Sequence, residues 1–115
     1  MPRDPRVYLA DIEAACTAIA EAVSSLNFPG YCASRLVRSA VEREFIIIGE
    51  AVLRLSAVAP DLYARITRAR RIIDFRNRLT HEYPTVDDEL VWAIVERDVP
   101  VLACETKAPL EELEA

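Results

Sequence analysis

Residues 45–51 read Phe45-Ile46-Ile47-Ile48-Gly49-Glu50-Ala51. They lie within a longer segment, from about Ser34 to Val58, in which Leu36, Ala40, Val41, Phe45, Ile48, Val52 and Leu55 recur at helical steps. That spacing predicts one long α-helix. Around Ile46-Ile47-Ile48-Gly49 the segment is apolar on every side, and a helix of that kind is covered by more than one neighbour. A glycine inside a helix costs about 1 kcal/mol relative to alanine. The expected purpose of Gly49 is therefore close approach of another helix. The apolar run from Phe45 to Gly49 is far too short to span a bilayer.

Upstream, Asp4-Pro5 predicts the start of a first helix, with Asp4 as N-cap and Pro5 at the first helical position. Tyr8, Ile12, Ala15, Ile19, Ala22, Val23 and Leu26 form its stripe, which runs to about Ser25. Asn27-Phe28-Pro29-Gly30 breaks it. Downstream, Pro60 ends the central helix, and a short turn over 61–66 leads to a third helix from about Thr67 to Thr80. Its core face is Ala69, Ile72, Ile73 and Leu79. Pro84 disfavours helical geometry at Tyr83, so this helix should end near His81. Thr85-Val86-Asp87-Asp88 is a capping-box variant opening a fourth helix. Leu90, Val91, Trp92, Ile94, Val95, Val99 and Leu102 line that helix, and Pro100 is expected to kink it. The tail from Pro109 to Ala115 either adds a short acidic fifth helix or frays. No alternating strand pattern and no repeat occurs. The expected fold is all-α: an antiparallel four-helix bundle, with the tail as a candidate short fifth helix, in a single domain over residues 1–115.

The chain has 115 residues, of which 52% are hydrophobic and only two are glycine. So large an apolar share in so small a domain exceeds what one modest core hides, and points to a self-interface and a homodimer. The net charge is −5, so the body as a whole repels nucleic acid. Residues 65–78 depart from that average. Arg65, Arg68, Arg70, Arg71, Arg76 and Arg78 stand there against Asp74 alone. Such a basic stripe is either a polyanion-binding face, with Arg70, Arg71 and Arg78 as its contacts, or simply a solvated helix surface. Cys16, Cys32 and Cys104 are odd in number and widely spaced, and with a single histidine they make no zinc site. They read as reduced, partly buried thiols of a cytoplasmic protein. The Met-Pro-Arg-Asp-Pro start carries no apolar signal region. No metal, cofactor or membrane association is expected.

The chemistry-bearing segment is Arg76-Asn77-Arg78-Leu79-Thr80-His81-Glu82-Tyr83, which holds the only histidine. A guanidinium is planar, always charged and able to clamp phosphate oxygens. An imidazole titrates near neutral pH and serves as base or acid. Read from spacing alone, a lone histidine near a helix end is more commonly a cap or a satisfied surface group, and an arginine near it a solvated one. Geometry also sets a condition. Five residues turn a helix by about 140° net, so Arg76 and His81 converge only if the helix frays at His81 or if they come from two subunits.

Four segments in order carry a family resemblance. Arg76-Asn77-x3-His81-x-Tyr83 resembles the R-N-x3-H-x-Y motif of HepT-like toxins, a branch of the HEPN superfamily. Ile47-Ile48-Gly49-Glu50-Ala51 resembles its I-I-G-E-A, Val86-Asp87-x-Glu89-x-Val91-Trp92 its V-D-x-E-x-V-W, and Asp98-Val99-Pro100 its D-L-P. The resemblance spans nearly the whole chain. It implies a HEPN bundle that dimerises and brings two motif copies together. It further implies a metal-independent ribonuclease, the toxin of a toxin–antitoxin pair. Arg76 and His81 then carry over as catalytic residues and Asn77 as a supporting polar residue. The implied partner is a small MntA-like nucleotidyltransferase antitoxin, which adds AMP units from ATP to the motif tyrosine, here Tyr83. Two departures stand out. Asp74 replaces a glycine common in the family, placing an acid near Arg76, and Glu44 and Ile46 replace polar residues that often precede I-I-G-E-A.

RNA brings its own nucleophile, the 2′-hydroxyl, so cleavage needs only a base, an acid and positive charge on the phosphorane. One chain has one histidine, and a symmetric dimer has two. The rival expectation is a non-catalytic helical subunit that docks a small nucleotidyltransferase through Arg76 and Tyr83. A bare dimerisation bundle is a third.

Overall fold

Four of the helices begin where side chains satisfy free backbone amides. Residues 3–81 and 86–114 are described in this computed structural model, and among them six helices occur and no strand: α1 Pro5–Val23, α2 Phe28–Ala33, α3 Arg35–Val58, α4 Pro60–Tyr63, α5 Ala69–His81 and α6 Asp88–Glu114. Asp4 caps α1 by accepting from the Arg6 amide at 2.9 Å, with Pro5 following as expected. Ser34 accepts from Val37 N at 3.2 Å to start α3. Asp87 accepts from Glu89 N at 2.9 Å at the start of α6. Thr85, the first residue of the expected capping box, lies outside the described residues.

The four long helices α1, α3, α5 and α6 make the expected all-α bundle. The central α3 packs on α1 along one side and on α5 along another, and α1 also packs on α6. This is the double coverage foreseen for Ile46–Gly49. Ile48 and Gly49 are buried, while Ile46 and Ile47 stay partly open. The core joins Leu9, Ile12 and Ile19 of α1 to Phe45, Val52 and Leu55 of α3, Phe75 and Leu79 of α5, and Val91, Ile94 and Leu102 of α6. Phe45 and Phe75 meet edge to face, with centroids 5.1 Å apart.

Four expectations need correction. Asn27-Phe28-Pro29-Gly30 does end α1, but it also starts α2. Asn27 accepts from Gly30 N at 2.9 Å, and a proline within the first turn lacks only an amide that would be orphaned anyway. The turn over 61–66 contains the short helix α4 for a similar reason, with Pro60 at its first position. Leu36 and Ala40 are not core. Leu36 is 84% exposed, because the buried register of α3 runs through Val41, Phe45, Ile48, Val52 and Leu55, and Leu36 lies five residues before it. The tail forms no separate fifth helix. α6 continues through Pro100 and Pro109. Its buried face (Val95, Val99, Leu102, Thr106, Leu110) stays in one helical phase across both prolines. That burial holds the axis where two backbone hydrogen bonds are missing.

No helix among the described residues is long and apolar enough to cross a membrane. The cysteines are free: Cys16 buried, Cys32 partly buried and Cys104 exposed. Burial pushes the Cys16 thiol up to about 12.

Candidate active site

The site begins with a missing side chain. A methyl group on Gly49 would sit 2.6 Å from Arg76 Cγ and still closer to Arg76 Cβ. Only glycine lets α5 approach α3 this closely, so the helix-contact purpose expected of Gly49 is met, and the neighbour is the motif arginine. The stem of Arg76 crosses the notch, and its head group reaches the next residue of α3. Nη2 donates to Glu50 Oε1 at 2.5 Å, and Nη1 donates to Asn77 Oδ1 at 2.9 Å. The Arg76 side chain is 22% exposed, and its Nε is buried without a partner. Of the five guanidinium hydrogens, one on each terminal nitrogen is left for an incoming oxyanion. Glu50 and Asn77 thus aim a half-buried arginine outward, with its planar fork fixed.

His81 is the last residue of α5 and is exposed. The helix does not fray before it, so it stands about 7.5 Å further along the axis than Arg76 and about 140° around. Of the two conditions set by geometry, fraying is not met. The Thr80 hydroxyl donates to the carbonyls of Arg76 at 3.2 Å and Asn77 at 3.1 Å, closing this end of the helix on itself. Tyr83 lies outside the described residues.

The basic stripe divides. Arg68 and Arg71 converge on Asp98 of α6, at 2.5 Å to Oδ1 and 3.4 Å to Oδ2. Asp98 is only 3% exposed. The Arg71 contact is an ion pair without hydrogen-bond alignment, since Oδ2 accepts no hydrogen bond. Arg65 meets Glu112 at 2.9 Å, and the pair holds the Glu112 carboxyl below its usual range. Arg70 is widely exposed and pairs with Asp74 at 3.5 Å. Asp74, expected to offset Arg76, has Arg70 as its partner instead. Arg78 is exposed on α5. Carboxylates from outside the stripe, namely Glu50, Asp98 and Glu112, therefore spend much of its charge inside the molecule.

Two residues escaped assignment from the sequence: Glu50, which holds Arg76, and Asp98, which ties α5 to α6. Both sit in quoted motifs, and an acid beside a helix-contact glycine was the available signal for the first. Among the described residues no cluster of His, Cys, Asp and Glu gathers closely enough to hold a metal ion.

The profile of a family described as "Ribonuclease HepT-like" matches residues 12–108. The "Probable ribonuclease HepT" of Thermococcus cleftensis is 31% identical over 102 residues, covering 89% of this chain and 92% of that protein. Proteins named "Putative RNase" resemble the chain at similar distance. One, from Caldanaerobacter subterraneus subsp. tengcongensis, is 27% identical over 96% of this chain and 97% of its own length. Another, from Methanocaldococcus jannaschii, is 28% identical over 91% of this chain and 95% of its own length. No solved structure matches the chain.

Proposed function

The chain belongs to the ribonuclease HepT-like family, and from that premise we propose that it is a metal-independent endoribonuclease, the toxin of a toxin–antitoxin pair, acting in the cytoplasm as a homodimer. Arg76 and His81 from two copies form one composite site. One His81 takes the proton of the RNA 2′-hydroxyl, whose oxygen attacks the adjacent phosphorus. The other His81 gives a proton to the departing 5′-oxygen. The two Arg76 guanidiniums stabilise the phosphorane, each aimed by its Glu50 and Asn77. Arg70, Arg71 and Arg78 are contacts for RNA in this scheme.

The observation that carries the proposal is the unbroken helix through His81. It sets the chain's only histidine on a different side of α5 from Arg76, so one chain alone is not arranged to use both at one phosphate. A neighbouring nucleotidyltransferase neutralises the toxin by transferring AMP from ATP to the Tyr83 hydroxyl with release of pyrophosphate. The added phosphate then pairs with an Arg76 and occupies the clamp.

The test is cleavage of a labelled RNA. Arg76→Ala and His81→Ala should each abolish it while leaving the fold intact, and EDTA should not slow the wild type. Co-refolding wild-type chains with an equal amount of His81→Ala chains should leave about a quarter of the activity shown by the same total amount of wild-type protein, because only dimers with two histidines work. About half would mean that each chain acts alone, and the composite site would be abandoned.

A further inference from the structure

The strongest unassigned feature lies on the far side of Glu50. A groove of about 760 Å³ runs between the start of α1 and the outer face of α3. Arg43, Ile47, Glu50 and Arg54 line it from α3, at successive steps of four, three and four residues. They therefore share one face of the helix, with Arg43 and Arg54 about 16 Å apart along the axis and Glu50 between them. Ile46 and Ile47 supply an apolar floor.

Charge pairing distinguishes this groove from the stripe on α5. Arg3, at its edge, is engaged by Asp11 at 3.9 Å and by the ring of Tyr8. Glu50 is taken by Arg76. Arg43 and Arg54 are exposed and make no hydrogen bond or ion pair among the described residues. Arg68 and Arg71, by contrast, are tied to Asp98, and Arg70 to Asp74. Uncompensated positive charge is what a polyanion meets first, because it displaces no internal partner.

We propose that this α1–α3 groove is the track of the single-stranded RNA substrate. Arg43 and Arg54 hold phosphates on either side of the one gripped by Arg76, and Ile46 and Ile47 receive sugar or base faces. A charged groove with an apolar floor is the form taken by sequence-tolerant single-strand sites. The proposal rests on the ribonuclease reading and adds the path of the strand. It moves the principal binding surface from the length of α5 to the outer face of α3.

The test uses full-length protein carrying His81→Ala to prevent cleavage, and a fluorescent single-stranded RNA titrated at several salt concentrations. Arg43→Ala and Arg54→Ala should each lower the slope of log affinity against log salt by about 0.7, and weaken binding about fivefold at 0.1 M salt. Lys107→Ala, an exposed cation on α6, should leave both nearly unchanged. Circular dichroism checks the fold of each variant, and both arginines are exposed, so unfolding is not expected. Arg43 and Arg54 variants that bind like their parent while Arg70→Ala loses affinity would overturn the proposal and return the strand to α5. Variants that change the sedimentation coefficient would show the groove to be an interface between copies, which also overturns it. A parent that binds no RNA at all would remove the ribonuclease reading itself.

Discussion

Gly49→Ala sets two physical effects of opposite sign against each other. Alanine is the better helix former, and in an open helix interior the substitution stabilises by about 1 kcal/mol. In α3 the added methyl would lie 2.6 Å from Arg76 Cγ and closer still to Arg76 Cβ. The Cβ atom is fixed to the backbone of α5, so a rotamer change does not relieve the clash and the two helices must part. Overpacking of this kind costs about 1–3 kcal/mol. With both obstructing atoms near the main chain, the upper end applies, and the net loss is about 2 kcal/mol. A chain of this size has an unfolding entropy near 0.24 kcal/mol/K, so Tm should fall by about 8 °C. Parting the helices also draws Arg76 from Glu50, so RNA cleavage should fall by up to about 10²-fold. Thermal unfolding followed by circular dichroism, with cleavage measured well below Tm, reads both quantities. A Gly49→Ala protein that is more stable than wild type would show that propensity wins, and that the close approach of α5 to α3 is not what requires glycine.

Further tests address separate contacts. Glu50→Ala should lower kcat with little change in KM, whereas Glu50→Gln, which still offers an acceptor to Arg76 Nη2, should keep most of kcat; equal losses would mean that the carboxylate charge matters rather than the hold on Arg76. Asp98→Ala should destabilise by about 1–3 kcal/mol, because a buried acceptor shared by Arg68 and Arg71 is lost, and denaturant unfolding measures it. Burial, followed by the charge of Asp88, raises the Glu42 carboxyl against the opposing pull of Arg38. Its folded pKa lies above the unfolded one, so its contribution is present at low pH and is lost as pH rises through the folded value. Glu42→Gln should accordingly gain stability over wild type as pH rises from about 4.5 toward neutrality, and a gain that instead grows on acidification would contradict the burial. Co-expression with the proposed nucleotidyltransferase partner should add the mass of AMP at Tyr83, and Tyr83→Phe should remain toxic beside that partner; a neutralised but unmodified complex would point to occlusion.

The apolar periodicities of residues 8–26, 34–58, 67–80 and 90–102 were sufficient for an all-α bundle, because a helix of marginal length is stable only when its stripe is buried, and that stripe is written in the spacing. The cap at Asp4 and the glycine notch at position 49 were legible for the same reason: each is a local demand met within a few residues. Legibility failed where two local signals competed. Pro109 reads as a breaker, yet the buried phase of α6 runs straight through it to Leu110, and packing outweighs two missing backbone bonds. Asn27-Phe28-Pro29-Gly30 reads as a stop, and it is equally a capped start. Arg76 and His81, the proposed catalytic pair, were named from the sequence, but the electrostatics around Arg76 were not legible there. Which carboxylate reaches which arginine depends on side chains distant in sequence, as with Glu50 on Arg76 and Asp98 on Arg68 and Arg71. Composition therefore placed the basic charge on residues 65–78, whereas only the packing of α3 against α5 and the reach of α6 decided that much of it is spent internally and that Arg43 and Arg54 remain unengaged.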